Sequence, residues 1–177
     1  LFAAPGKDGS IWDRFTEDLK SHGGDATKLT EVSIDMSAAY RLVAKSVRPQ
    51  ATVVFDKFHV IKLANEAVDE VRRREQSAGE PEAKKQLKGA RWLFRKNTAN
   101  LTDKQFARFK ELDHENLVTA KAYRMRVTPR DIYAKTGYGD DGRKRLLEWC
   151  AWPRAPAKET PILKPMAKLA GTIEKCL

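Results

Sequence analysis

Thr30–Phe55 reads TEVSIDMSAAYRLVAKSVRPQATVVF, and the alternation of periods along it decides the fold. Val32 and Ile34 recur at a spacing of two in TEVSID (Thr30–Asp35), the period of a short strand. From Ser37 to Val47 the spacing becomes helical, with Tyr40 and Val43-Ala44 on one face, Ser37 as N-cap and Pro49 as breaker. Ala51–Phe55 (ATVVF) is then an unbroken β-favouring run between Pro49 and Asp56, as expected of a strand in a mainly parallel sheet. Strand, helix and strand in this order predict a right-handed crossover.

Upstream, Ser10–Ser21 predicts an amphipathic helix with Ser10 as N-cap. Trp12, Phe15 and Leu19 share its face, and Gly23-Gly24 ends it. Downstream the period is helical throughout. Phe58, Ile61, Ala64, Val68 and Val71 form one face of a long helix ending near Ser77. Glu82–Lys96 predicts a second helix carrying Trp92, Leu93 and Phe94. A third starts at Thr102 (Phe106, Phe109, Leu112), and a fourth spans Glu115–Val127. Gly137–Gly142 (GYGDDG) reads as a loop, and Gly142–Trp152 and Pro161–Cys176 add two more helices. The expected fold class is α/β plus all-α, with an α/β piece over residues 1–57 and a helical piece over 58–177.

The net charge of +10 is unevenly spread. Residues 1–60 carry 8 Lys+Arg and 8 Asp+Glu, so the whole excess lies beyond them. A basic half on a neutral half points to a polyanionic partner, nucleic acid foremost, although solvated Lys and Arg faces give the same count. No stretch approaches the ~20 apolar residues of a membrane helix, and the first residues do not read as a secretion signal. Cys150 and Cys176 have no metal spacing and form no disulfide framework, so a reducing cytoplasm is expected. A start at Leu1 rather than Met hints at a truncated chain.

Three side chains could carry chemistry at the strand ends. Asp35 follows the first strand, where ligands and cations gather in open α/β sheets. A carboxylate there suits Mg²⁺, which takes oxygen ligands and often only one or two from protein. Equally, it could cap the next helix beside Ser37. Asp56 holds the equivalent place after the second strand, and Asp56 and His59 could bind a metal or hydrogen-bond each other, or Asp56 could cap the long helix with His59 packed behind. Arg72, Arg73, Arg74, Lys84, Lys85, Lys88, Arg91, Arg95 and Lys96 suit phosphate contact. Trp92 among them could stack a base or, more simply, fill a core position. Cys150, between Trp149 and Trp152, reads as a packed thiol with no activating base.

Several of these segments together resemble a known family. VSIDMSAAY (Val32–Tyr40), Pro49-Gln50-Ala51 and VVFDKFHVIKLANEAVDEVRRRE (Val53–Glu75) closely resemble the DDE transposases of bacterial insertion sequences, in the ISL-three group. RWLFRKNTANLT (Arg91–Thr102), NLVTAKAYRMR (Asn116–Arg126), the Trp149 region and MAKLAGTIEKCL (Met166–Leu177) agree in order. The resemblance implies a partial ribonuclease-H-like core followed by a basic helical insertion domain. Such cores hold Mg²⁺ ions on three acidic residues and cut and join DNA strands at insertion-sequence ends and target sites. Asp35 matches the second acid. Asp56 and His59 match a supporting D-x-x-H signature. Neither the first Asp nor the final Glu has a counterpart here, and Glu174 does not match the latter. The expectation is therefore an inactive fragment of a transposase, or alternatively a non-catalytic DNA-binding or regulatory module derived from one. The complete enzyme could act as a homo-oligomer.

Overall fold

The computed structural model describes residues 2–5, 9–35, 38–114, 117–136 and 139–177, with the side chains of residues 38, 39, 47 and 114 left aside. The chain divides into two compact units, Leu1–His59 and Val60–Leu177.

The first unit begins with helix α1 (Ser10–Ser21). Gly9 rather than Ser10 is its N-cap, and no side chain caps it. Its end follows from glycine: Gly23 adopts φ +77°, while the Gly24 amide donates to Leu19 O at 2.8 Å and the Gly23 amide to Lys20 O at 3.0 Å. This is the double bond of a Schellman turn. Phe15 meets Phe2 and Trp12 edge to face, with centroids 5.8 and 5.5 Å apart. Strands β1 (Glu31–Ile34) and β2 (Thr52–Phe55) pair in parallel, Glu31 opposite Thr52 through Ile34 opposite Phe55. Helix α2 (Ala38–Val47) connects them and packs on both. The expected cap at Ser37 lies outside the described residues. Among the described residues the sheet has two strands, and only Ala44 and Phe55 of this unit are buried.

Helix α3 (Lys57–Ala78) starts at the end of β2. Its buried stripe is Val60, Ala64, Ala67, Val68 and Val71, while Phe58, expected on that face, is 70% exposed. The reason is rotational: the stripe runs through Val60 and Ala64, which places Phe58 to one side of it.

The predicted helix over Glu82–Lys96 is two helices, α4 (Pro81–Leu87) and α5 (Arg91–Arg95), separated where Gly89 takes φ +73°. A left-handed residue cannot continue an α-helix. Helix α6 (Asp103–His114) opens with a reciprocal cap, in which the Gln105 amide donates to Thr102 Oγ1 and the Thr102 amide to Gln105 Oε1. The fourth helix, α7 (Val118–Thr136), runs well past Val127 and contains Pro129. The expected GYGDDG loop is shorter than anticipated. Gly137 and Tyr138 lie outside the described residues, Gly139 is an N-cap, and Asp140–Gly142 form the first turn of α8 (Asp140–Ala151). Helices α9 (Arg154–Glu159) and α10 (Lys164–Glu174) close the chain. No strand follows β2 among the described residues.

Two apolar centres organise this second unit. Phe94, Phe109 and Tyr123, from α5, α6 and α7, meet edge to face with centroids 4.8 to 6.0 Å apart. Leu146, Trp149 and Cys150 of α8 pack with Met166, Leu169, Ala170 and Ile173 of α10, all buried. Burying such side chains contributes roughly 1.5–3 kcal/mol each. The fold is thus a small parallel α/β piece followed by an all-helical one.

Candidate functional site

The register of β1 and β2 sets the geometry of the strand ends. Ile34 pairs with Phe55, and the Asp56 amide donates to Ile34 O at 2.9 Å. Asp35 and Asp56 are therefore the first residues beyond two level, adjacent parallel strands, whose spacing is about 4.8 Å. Asp35 is half-buried.

Asp56 is fully engaged. Its Oδ1 accepts from the Phe58 amide at 2.9 Å, capping α3, and its Oδ2 lies 2.9 Å from His59 Nδ1. The Phe58 amide first, and His59 after it, hold the Asp56 carboxyl below the usual carboxylate range. The cap is therefore fully present at neutral pH and is lost only as pH falls through that lowered value. His59 is exposed rather than packed behind the aspartate. Of the readings of D-x-x-H made from sequence, the cap and the mutual hydrogen bond occur together. Among the described residues no group of three or more His, Cys, Asp and Glu could hold a metal ion. Asp35 can supply one oxygen ligand to a divalent cation, but the described residues do not make a complete site.

The nine basic candidates separate by environment. Arg72 is interior: its Nε donates to Asp69 Oδ1 at 2.9 Å and its Nη1 to Gln76 Oε1 at 2.7 Å. Arg74 pairs with Glu70 on the surface. Arg73 and Arg91 approach Asp69 at 3.8 and 3.5 Å while remaining largely exposed. Lys84, Lys85 and Lys88 face solvent, whereas Arg95 and Lys96 are half-buried, Lys96 donating to Gln105 at 3.3 Å. The charge run alone could not separate Arg72 from its neighbours, because the α3 face they occupy depends on what packs there.

Trp92 is a correction. The core position expected for it is not what the fold provides: it is 57% exposed, while Leu93 and Phe94 carry the burial of α5. The guanidinium carbons of Arg91 and Arg95 each lie 5.4 Å from the centre of its ring. Cys150 is a packed thiol as expected, pushed up to about 11 chiefly by burial. No described helix is long and apolar enough to cross a membrane.

Comparison with known proteins shows the family. A family model described as transposase, of the DDE type in the ISL3 group, matches residues 1–177. The transposase for insertion sequence element IS1001 from Bordetella parapertussis is 34% identical over 181 residues, which is 99% of this chain and 44% of that protein. The transposase for insertion sequence element IS1557 from Mycobacterium tuberculosis (strain CDC 1551 / Oshkosh) is 27% identical over 175 residues, covering 86% of this chain and 38% of its own length. The chain thus spans less than half the length of the curated relatives it matches. No solved structure matches it. With the family model extending over every residue, the chain belongs to the DDE transposase family of insertion sequences, in the ISL3 group.

Proposed function

We propose that this chain is a segment of a transposase that cuts and joins DNA at the ends of an insertion sequence, with Asp35 as one carboxylate of the catalytic set. The observation that carries the reading is the position of Asp35 at the carboxyl end of β1, level with the Asp56–His59 pair on the neighbouring parallel strand, in a chain of this family. The strand–helix–strand unit is then part of a ribonuclease-H-like core, and the basic helices beyond it are an insertion domain that grips DNA. Asp56 and His59 act as positioning residues that fix the start of α3 against the strand end.

Mg²⁺ is the cation whose chemistry suits such a site, through oxygen ligands and retained waters. The described residues hold no cluster of three such ligands, so on this reading Asp35 is completed by ligands beyond the described residues. On this reading the chain by itself is expected not to cleave DNA. In a transposition assay with the complete polypeptide that contains this segment, Asp35→Asn lowers excision by about 10³-fold or more, as expected for losing a ligand of a metal worth several kcal/mol of barrier. DNA binding by that variant persists. Excision at the unsubstituted level overturns the assignment.

The basic excess beyond residue 60 favours a second reading, a non-catalytic module that binds DNA without cutting it. Asp35→Asn is then silent, while binding remains strongly salt-dependent.

A further inference from the structure

Trp92 occupies a position that burial does not explain. Helix α5 is anchored without it: Leu93 and Phe94 are buried, and Phe94 stacks edge to face on Phe109 and Tyr123. Its carboxyl end is tied down by the buried Arg126, which donates to Arg95 O at 2.7 Å and to Lys96 O at 3.5 Å, and also to Asn65. A five-residue helix anchored at both its buried face and its carboxyl end therefore holds a large aromatic ring out in solvent. Around the ring stand Arg91 and Arg95. Beyond Arg91 lies Asp69, whose one carboxylate is shared by Arg72, Arg73 and Arg91. Three guanidiniums on one carboxylate leave a local positive excess beside the ring.

We propose that Trp92 is a stacking platform for an unpaired base of a DNA strand, with Arg73, Arg91 and Arg95 holding the flanking phosphates. The proposal rests on the DNA-handling reading above and extends it to a chemical class of ligand. Aromatic rings stack on bases of any identity, and cationic neighbours track the backbone. Inside an intact duplex the base faces are already stacked, so the ring reaches one only where a base is unpaired or extruded. An apolar protein partner would have to desolvate guanidiniums without a counter-charge. A second copy meeting the same patch across a two-fold axis would set like charges against each other. A polyanion with exposed π-faces satisfies both features of the surface.

The test uses the 177-residue chain and a fluorescein-labelled single strand of about 20 nucleotides, longer than a typical ~4–16-nucleotide site, with its perfect duplex for comparison. Kd values are read by anisotropy across a salt series. Trp92→Ala and Trp92→Leu are expected to weaken single-strand binding about 10-fold with the salt slope unchanged, and to leave duplex binding nearly unaltered. Trp92→Phe retains single-strand binding. Arg91→Ala instead lowers the salt slope by about one. The ring is mostly exposed, so far-ultraviolet circular dichroism of all four variants matches the parent. If the Ala and Leu variants bind the single strand as tightly as the parent, and binding is still salt-dependent, the stacking role is overturned and the DNA reading stands. Failure of the parent chain to bind either DNA overturns both. A parent dimer that Trp92→Ala converts to monomer in sedimentation assigns the ring to self-association and also overturns the proposal.

Discussion

Glu75, on the buried face of α3, accepts from the Val118 and Thr119 amides at 2.7 Å each and from Thr119 Oγ1 at 2.6 Å. Those amides belong to the first turn of α7, where helix geometry leaves donors without partners and favours negative charge. One carboxylate thereby caps a helix 43 residues away in sequence. Replacing Glu75 with Ala deprives three donors, two amides and the Thr119 hydroxyl, of their acceptor, and the expected loss of stability is about 2–4 kcal/mol. Glu75→Gln, which keeps an acceptor but loses the charge, falls between. Urea unfolding of the two variants measures this, and midpoints equal to the parent's would show that water replaces the cap without penalty. Nothing in the sequence around Glu75 marks this role, since Glu in a long helix is ordinarily a solvated residue. Arg72 and Trp92 make the same point in opposite directions: the first, read as a DNA contact, is interior, and the second, read as core, is exposed.

At the scale of elements, α7 tolerates a proline because a neighbouring helix compensates for it. Pro129 has no amide to donate to the carbonyl four residues earlier, Met125 O. Trp149 of α8 donates its indole Nε1 to that carbonyl at 3.0 Å. The buried backbone group is therefore paired across the helix interface rather than along the helix. Trp149→Phe keeps most of the ring but orphans the carbonyl, so the helical unit should lose about 1–3 kcal/mol. A thermal melt reads this, and a melting temperature within error of the parent's would mean that the carbonyl finds another donor. The sequence pattern ended this helix near Val127, and a proline two residues further on ordinarily stops a helix. What rescues it is a tryptophan 24 residues beyond Met125. The break between α4 and α5 shows the complementary failure: the apolar period continues through Gly89, but its backbone does not.

Across the whole molecule, apolar burial is concentrated beyond residue 59. Among the described residues the first unit buries Ala44 and Phe55, whereas the second buries two aromatic and aliphatic centres. A two-stranded sheet is marginal by itself, and β1 and β2 each leave an edge that another strand could pair. A polypeptide starting at Lys57 and ending at Leu177 is expected to give a helical circular-dichroism spectrum and a cooperative thermal transition. A polypeptide of residues 1–56 is expected to give neither. A non-cooperative melt of the helical polypeptide would refute the inference that its core is sufficient.

The sequence by itself determined the order of elements through α3, the parallel pair of strands, the placement of Asp35 and Asp56 just past them, and the charge excess of the helical half. These follow from local periodicity, turn chemistry and composition, which act between near neighbours in the chain. The family was legible in the same way, through contiguous motifs. Only the tertiary structure decided which cation turns inward to Asp69, which tryptophan is held in solvent, how Pro129 fits inside α7, and which carboxylate caps it. Each of those outcomes depends on a partner far away in sequence, and burial and hydrogen-bond satisfaction are properties of the assembled neighbourhood rather than of the segment that carries the residue.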